Sequence, residues 1–438
     1  MSSIYLESTI ANHSAQVGVI GLGYVGFPLA IEAARVGFRV IGVDRDKQKC
    51  KNLNRGISPN SDISAAELQK LIRAGQFEAT SGFKALEQCN VITLCLPTPL
   101  NPSKDPDLSY VKHATLKVAE VLHSKKNLPK LVILESTSYP GTTEEVVMPM
   151  LSKSGTIPDQ DFFLAFSPER VDPGSDRWRI SNTPKLVGGT SKVAGELAGT
   201  FYRQFVSEVL ELASPRIAEM AKLLENIFRA VNIALVNELW MLCDRMGIDI
   251  WEVIEAASTK PFGYMPFWPG PGLGGHCIPV DPFYLSWKAR EYGFHTEFIE
   301  LAGKINVSMP YFVVGKVIEA LNLEGKSLKD SRILILGVAY KKEVSDTRES
   351  PAFKVMELLQ DKGAELIYHD PHVEHIVIRN DKLHSTQLTQ KLLAGIDCVL
   401  VLTAHSKIDY EMVKKSNATI VDTRNVTNPH SILSRSND

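Results

Sequence analysis

No two of the six cysteines, Cys50, Cys89, Cys95, Cys243, Cys277 and Cys398, have the Cys-x-x-Cys spacing of a zinc ribbon or a thioredoxin-type redox motif. A chain of 438 residues needs no disulfide staples, so free thiols are expected. Charge of neither sign is in excess. The 48 Lys and Arg against 50 Asp and Glu leave a formal net charge of -2, which offers no footprint for nucleic acid. No apolar run approaches the roughly 20 residues of a membrane span. The opening MSSIYLESTIANHS has neither the basic nor the apolar region of a secretory signal. These absences predict a cytoplasmic enzyme with reduced cysteines and with no membrane or nucleic-acid partner.

About two to four domains are expected at this length. Hydrophobic residues at 44% and charged residues at 22% are globular proportions. Residues 1–14 read as an extension with no assigned role. QVGVIGLGYVGFPLAIEAARVGFRVIGVDRD then gives strand, glycine turn, helix and strand within about 30 residues. NVITLCL and KLVILES are apolar on both faces, as buried parallel strands are. Helical patterns at 65–74 and 108–123 alternate with them, so the first block is a doubly wound sheet. Residues 214–247 follow as one helix, with Ser214 as cap, Pro215 at the first position and Gly247 as stop. At ~1.5 Å per residue it spans roughly 48 Å. It is apolar over much of its circumference, so both sides are expected to be covered. SRILILGVAY, AELIYHD, DCVLVLTAH and ATIVDTR resume strand–helix alternation. Among them ESPAFKVMELLQDKG is a helix starting on Ser350 and Pro351 and stopping at Gly363. The expected fold is α/β, with two Rossmann-like doubly wound parallel-sheet domains, residues 1–210 and 321–438, joined by a helical central domain, residues 211–320. Linkers are expected near 197–215 and 321–330.

Gly21, Gly23 and Gly26 of GLGYVG stand between a strand and a helix. The first permits the turn, the second lets a pyrophosphate approach the backbone, and the third lets helix pack on strand. Tyr24 and Val25 lie within the motif, and the helix N-terminus that follows attracts phosphate. Asp44 ends the next strand, where an acid binds ribose hydroxyls and repels a 2′-phosphate. The pattern predicts NAD; Arg45 beside Asp44 keeps NADP as the lesser alternative. A turn of glycines made only for packing is the competing reading. LPTPL, with Pro97 and Thr98, and ESTSYPGTTEE, with Ser136, Thr137 and Ser138, follow later strands and so fall on the ligand-binding edge of the sheet. Helix capping competes with ligand binding there.

In FSPERVDPG, Glu169 is a base or water-orienting candidate with Arg170 beside it, and a surface salt bridge is an equal alternative. Lys222 and Asn226, at i and i+4, share a face of the long helix. Lys222 either stabilises an oxyanion or extends to solvent. GPGLGGHCIPVD at 270–281 holds Cys277 ahead of a helix start, where backbone N–H groups and the helix dipole lower a thiol's pKa. A second phosphate cradle lacks an incoming strand, and a metal site lacks further ligands at the right spacing, so no metal is expected. His276 reads as a loop histidine, Asp281 as a helix cap and Cys277 as a nucleophile.

GLGYVG, ESTSYPGTT, FSPER, AEMAKLLEN, GPGLGGHCIPVD and VSDTRESP occur in the order found in the UDP-glucose/GDP-mannose dehydrogenase family, and the chain resembles that family over about residues 16–430. HCIPVDP with KPFGYMPFWPGPG is most similar to its branch acting on UDP-N-acetylhexosamines, UDP-N-acetylglucosamine before UDP-N-acetylmannosamine, UDP-N-acetylgalactosamine or UDP-glucose. Val280 stands where the UDP-glucose branch has lysine, and Pro173 where it has a second glutamate.

The resemblance implies a four-electron oxidation of a sugar C6 alcohol to the acid with two NAD+ per turnover, supplying precursors of cell-surface polysaccharide. It implies a Cys277 thiohemiacetal and thioester, with Lys222 and Asn226 at the oxyanion and Glu169 or Asp281 orienting water. Lys49, Pro97, Thr98, Ser136, Thr137 and Arg348 are implied at the cofactor, with Thr137 also implied among the catalytic residues. Glu169, Arg170, Lys222, Asn226, Pro271, Gly272, Leu273, Gly274, Lys341 and Arg424 are implied at the UDP-sugar. The long helix is implied at the interface of a homodimer or dimer-based oligomer. A two-electron dehydrogenase of the 6-phosphogluconate type shares the first two blocks but needs neither the cysteine nor the third. A nucleotide sensor without chemistry would have no use for Lys222, Asn226 and Cys277 together.

Overall fold

The computed structural model describes residues 2–60, 63–101, 103–124, 129–153, 155–171, 177–275, 278, 280–427 and 433–434. The chain packs as two compact units, Met1–Glu225 with Trp287–Tyr292, and Asn226–Ser286 with Gly293–Asp438.

The first unit is built on eight strands: β1 (Gln16–Ile20), β2 (Arg39–Val43), β3 (Phe77–Thr80), β4 (Val91–Leu94), β5 (Lys130–Leu134), β6 (Phe162–Phe166), β7 (Lys185–Gly189) and β8 (Val209–Leu212). Their order is β3-β2-β1-β4-β5-β6-β7-β8, parallel throughout except between β6 and β7. The order reverses between β1 and β4, which opens a ligand crevice at their carboxyl ends. Helices α1 (Ser2–Ala11), α2 (Gly26–Arg35), α3 (Lys47–Asn54), α4 (Ala65–Arg73), α5 (Ser109–Ser124), α6 (Met148–Ser152) and α7 (Lys192–Tyr202) accompany the sheet. Strand alternation builds a core on each face: Leu131 and Ile133 of β5 join one cluster, Val132 and Leu134 the other. The N-terminal extension is α1, which packs on α7 through the buried Leu6 and Ile10.

Helix α8 (Pro215–Met246) crosses the division between the units. The second unit continues with α9 (Ile250–Ser258), α10 (Asp281–Arg290) and α11 (Glu297–Leu323). Then come β9 (Arg332–Leu336), α12 (Pro351–Asp361), β10 (Glu365–His369), the hairpin β11 (His375–Ile378) and β12 (Asp381–His384), α13 (Gln390–Leu393), β13 (Cys398–Val401), α14 (Tyr410–Lys414), β14 (Thr419–Asp422) and β15 (Leu433–Ser434). The sheet order is β10-β9-β13-β14-β15, antiparallel only at the β14–β15 edge. Helix α12 starts as expected: the Ser350 hydroxyl accepts the Ala352 N–H and Pro351 takes the first position. Gly363 beyond it has a φ of +83°.

The two sheets repeat one device. β1 ends at Gly21, with a φ of +92°, whose N–H donates to the Val43 carbonyl; the Asp44 carboxylate accepts the Leu22 N–H. β9 ends at Gly337, with a φ of +78°, whose N–H donates to the His369 carbonyl; the Asp370 carboxylate accepts the Val338 N–H.

Three expectations change. Residues 197–215 are no linker: Leu197, Ala198, Phe201 and Tyr202 of α7 are buried in the core and β8 completes the sheet. Near 321–330, α11 runs on to Leu323 and Leu328 is buried. Helix α8 is not covered on both sides within one chain. Its part in the second unit leaves Phe228, Leu235, Leu239, Leu242 and Met246 exposed, and its opening turns in the first unit expose Ile217, Met220 and Leu224. No helix among the described residues is long and apolar enough to cross a membrane.

At Gly337 a Cβ would lie 2.2 Å from the Thr403 carbonyl oxygen. Gly337→Ala therefore combines left-handed strain with overpacking and should cost about 2–4 kcal/mol. The check is a lower thermal unfolding temperature with NAD+ affinity, read by fluorescence titration, unchanged.

Candidate active site

In the first unit the glycine turn is shaped as its sequence requires. A Cβ on Gly26 would meet the Gly21 carbonyl oxygen at 1.9 Å, so helix and turn are in contact. A Cβ on Gly23 meets nothing within 4 Å, so the backbone there is open. No side chain caps α2, and Tyr24 is exposed beside it. Open backbone and an uncapped helix N-terminus suit a pyrophosphate.

Asp44 Oδ1 accepts the Asp46 N–H at 3.0 Å, and Oδ2 accepts the Leu22 N–H at 3.0 Å and Lys49 Nζ at 2.9 Å. Burial opposes its charge, but the two backbone donors and Lys49 outweigh it and hold the carboxyl below its usual range. The Arg45 guanidinium stacks over the Tyr110 ring, 5.2 Å from its centroid. The residues present fit NAD: an open turn for the phosphates and an acceptor for a ribose.

Ser136 is committed to the protein. Its hydroxyl donates to the Leu94 carbonyl and accepts the Leu96 N–H at 2.8 Å, which fixes the turn leading to Pro97 and Thr98. Thr137 is half-buried and its hydroxyl has no hydrogen bond among the described residues. The loop beyond is anchored by Glu219 on α8, fully buried, whose carboxylate accepts the Gly141 N–H at 2.6 Å, the Thr143 N–H at 2.9 Å and the Thr143 hydroxyl at 2.7 Å. Lys222, three residues along α8, is also buried.

The Glu169 carboxylate folds onto its own turn: Oε1 accepts the N–H groups of Arg170 and Val171 at 2.8 and 2.7 Å. Its Oε2 faces Lys185 Nζ at 3.6 Å. Arg170 donates to the Pro184 carbonyl and pairs with Glu225 of α8 at 2.8 Å. Lys185 is buried and bonds Glu135 Oε2 at 2.8 Å, while Tyr202 donates to Glu135 Oε1. Sequence reading missed Glu135, Lys185, Tyr202 and Glu219. The signal for Glu135 and Lys185 was a charge at the end of an otherwise apolar strand.

In the second unit Asn226 donates through Nδ2 to Asp281, both buried. Asp281 is the first residue of α10, and its carboxylate receives the Asn226 amide. The glycine loop is pinned at its start by Asn237 of α8, whose Oδ1 accepts the Gly270 N–H at 2.9 Å. Further on, the Gly275 N–H donates to the Arg348 carbonyl at 3.1 Å. Arg348 itself forks onto Asp346. Arg424 donates to the Leu402 carbonyl at 2.8 Å and lies against Gly270. Burial lowers its pKa to about 10, which still leaves a cation at neutral pH. A cavity of about 480 Å³ in this unit is lined by Gly272 and Leu273 with Ile227, Ile278, Phe283 and Asn306. Pro271 is buried, while Gly274 and Lys341 are half-buried. Cys277, His276 and Pro173 lie outside the described residues.

One group of metal-capable side chains occurs among the described residues: Glu343, His372 and His405. Both nitrogens of the buried His405 are already engaged. Nδ1 accepts the Glu343 N–H at 3.0 Å, and Nε2 lies 3.2 Å from Asp370 Oδ2.

Models of the UDP-glucose/GDP-mannose dehydrogenase family match the chain in three parts: the NAD binding domain over residues 15–206, the central domain over 216–308 and the UDP binding domain over 334–429. UDP-N-acetyl-D-mannosamine dehydrogenase of Pyrococcus horikoshii is 36% identical over 421 residues, covering 94% of this chain and 96% of its own. UDP-N-acetyl-D-glucosamine 6-dehydrogenase of Pseudomonas aeruginosa is 36% identical over 397 residues, covering 90% and 91%. The solved structure of the P. horikoshii UDP-D-ManNAc dehydrogenase matches with a TM-score of 0.85 at 35% identity, covering 94% of this chain and 95% of that one.

Asp44→Asn keeps an acceptor for only one of the two backbone donors and removes the charge. NAD+ affinity should fall about tenfold, the scale of a charge-assisted hydrogen bond, with NADP+ losing less, as isothermal titration would read. Because the folded pKa of Asp44 is depressed, its contribution to stability is full above about pH 4 and lost as pH falls through the lower folded value. The variant should show less acid-induced loss of stability than the native protein.

Proposed function

The chain belongs to the UDP-glucose/GDP-mannose dehydrogenase family, and from that premise we propose that it oxidises the C6 alcohol of UDP-N-acetylglucosamine to the uronic acid. It is an NAD-dependent UDP-sugar dehydrogenase. The observation that supports the narrower reading is the 36% identity to a UDP-N-acetyl-D-glucosamine 6-dehydrogenase over 90% of the chain, alongside the resemblance of its HCIPVDP stretch to that branch. UDP-N-acetylmannosamine is the second reading, favoured by the P. horikoshii relative and its structure. On this reading residues 1–210 hold the cofactor, 211–320 carry the catalytic lysine and cysteine, and 321–438 bind UDP. Working on precursors of cell-surface polysaccharide, the enzyme would sit in the cytoplasm.

Gly21, Gly23, Gly26, Asp44 and Lys49 would hold NAD, which when bound accepts a hydride in each of two oxidations. The remaining work falls to side chains. Cys277 adds to the C6 aldehyde, so that the second oxidation gives a thioester without release of the aldehyde. Lys222 and Asn226 donate to the developing oxyanion. The Asn226–Asp281 hydrogen bond turns the amide one way and leaves its second N–H for the substrate. In hydrolysis Glu169 takes a proton from water, the new C–O bond forms at the thioester carbon, and the C–S bond breaks to return the Cys277 thiolate. Arg170, Leu273, Gly274, Lys341 and Arg424 would contact the UDP-sugar.

The exposed stripe of α8, Phe228, Leu235, Leu239, Leu242 and Met246, recurs at three- and four-residue spacing. A stripe of that length supports a homodimer through α8.

With purified protein and a panel of UDP-sugars, two NADH per sugar should form, fastest with UDP-N-acetylglucosamine. One NADH per sugar would overturn the reading. Cys277→Ser should leave NAD+ binding intact and lower acid formation by on the order of a thousandfold or more. For assembly, Leu235→Glu combined with Leu239→Glu should convert a dimer to monomers in sedimentation velocity.

A further inference from the structure

Lys288 stands in the last turn of α10, where a lysine ordinarily extends its charge into solvent. Here its side chain is only 7% exposed. Its ammonium reaches Glu145 Oε2 at 2.8 Å and Glu291 Oε2 at 2.6 Å, and it lies 5.2 Å from the centroid of the Tyr139 ring. The residue before it, Trp287, packs its ring on Tyr139 with centroids 5.0 Å apart. Trp287–Tyr292 belongs to the first unit, and so do Tyr139 and Glu145. Those two partners lie in the loop and the π-helical turn that follow β5, just beyond Ser136, Thr137 and Ser138.

That segment has an uncommon shape. Gly141 has a φ of +101°, and a Cβ there would meet Glu145 Oε1 at 2.7 Å, so the Glu145 side chain is folded back over the turn. The Thr142 hydroxyl donates to the Tyr139 carbonyl at 2.7 Å. The turn Thr142–Val147 is π-helical, a rare conformation found often at functional sites. Glu219 of α8 holds its backbone, and Lys288 of α10 holds its side chains. Arg216 also bonds Glu145 Oε1 at 2.9 Å, but that pair is exposed and therefore weak. Burial opposes the Lys288 charge, and the hydrogen bonds to Glu145 and Glu291 outweigh it. An enclosed ammonium is costly to leave unpaired, so Lys288 and Glu145 fix one another.

The residues just ahead carry two hydroxyls that the protein leaves unused. Those of Thr137 and of the fully buried Ser138 have no hydrogen bond among the described residues. A buried hydroxyl without a partner calls for a ligand that completes it. Both follow β5, which pairs with β4 at the ligand crevice.

We propose that Lys288, with Trp287 beside it, is a positioning residue that fixes the loop after β5 so that the hydroxyls of Thr137 and Ser138 meet the bound dinucleotide. The proposal rests on the reading of Thr137 as a cofactor contact. Lys288 acts through Tyr139 and Glu145.

The experiment is isothermal titration of the full-length enzyme with NAD+ and, separately, with UDP. Lys288→Met should weaken NAD+ binding about tenfold, the scale of one charge-assisted hydrogen bond, with UDP affinity unchanged. Lys288→Arg should restore most of the loss. Should Lys288→Met fail to fold, Trp287→Leu removes the ring contact, keeps the ion pairs and should weaken NAD+ in the same selective way. The premise is tested by Thr137→Val combined with Ser138→Ala. If NAD+ affinity is unchanged in that variant, the loop does not touch the cofactor and the premise falls, taking the proposal with it. If it weakens there but not in Lys288→Met, the premise stands and the clamp is purely structural. Combining all three changes separates a positioning role from general loosening: a residue acting through the two hydroxyls should add little once they are gone. Fully additive losses would overturn the proposal.

Discussion

At the carboxyl end of a parallel strand the backbone turns away from its neighbours, and its N–H groups lose their ladder partners. An unpaired buried amide is costly, so something must accept it. Both sheets answer with an aspartate from the adjacent strand. Asp44 accepts from Leu22 and Asp46, and Asp370 accepts from Val338, Ala339, His372 and Val373. The rest of each sheet edge depends on that choice, because the carboxylate fixes the turn that the ligand-facing backbone follows. The copies then diverge. Asp44 keeps one mobile partner, Lys49, and faces an open glycine turn. Asp370 is closed over by the fully buried His405. One architecture thus gives a dinucleotide cradle at one end of the chain and a sealed turn at the other.

Buried charge is handled by the same economy of partners. A lone buried ammonium would cost several kcal/mol in lost hydration, more than one imperfect ion pair returns. Lys185 meets this with two carboxylates and an aromatic face. Lys130 donates to the carbonyls of Glu87 and Cys89, where a short helix ends. Glu219 reverses the roles, giving its carboxylate to the N–H groups that open the helix after Gly141. The Lys185 and Glu219 arrangements stiffen segments at the ligand edge of the first sheet, and Lys130 ties down the opposite edge. Apolar packing of equal volume would be as stable, so the charges point to a need for fixed geometry there.

How much of this was legible follows from what the residues advertise. GLGYVG and Asp44 combine a turn, a helix start and an acid at fixed offsets, and no other structure satisfies all three. Helix α12 carries its own start and stop in Ser350, Pro351 and Gly363. β7 and β8 were hidden because TPKLVGG and VLEL put charges and glycines in short strands, which reads as a loop. Helix α11 was hidden by Pro310 in its interior, a residue that normally ends a helix. Lys185 and Glu135 stand at the ends of short strands, where a charge alone gives no sign of burial. Only pairing across β5 and β7, distant in sequence, makes them a buried site.

The glycines of GPGLGGHCIPVD have a reason in packing. A Cβ on Gly274 would lie 2.8 Å from the Tyr340 Cβ and 2.9 Å from the Glu349 carbonyl oxygen, and one on Gly275 would lie 3.0 Å from the Tyr340 ring. These glycines let the loop lie flat against the segment after β9. The Gly275 N–H closes that contact on the Arg348 carbonyl, and Asn237 holds the loop's start. The same segment bears Lys341 and Arg348. The backbone at Gly274 and Gly275 thus takes its position from Tyr340, Arg348 and Glu349 rather than from its own stiffness. A change in the segment after β9 would be felt at these glycines through direct contact.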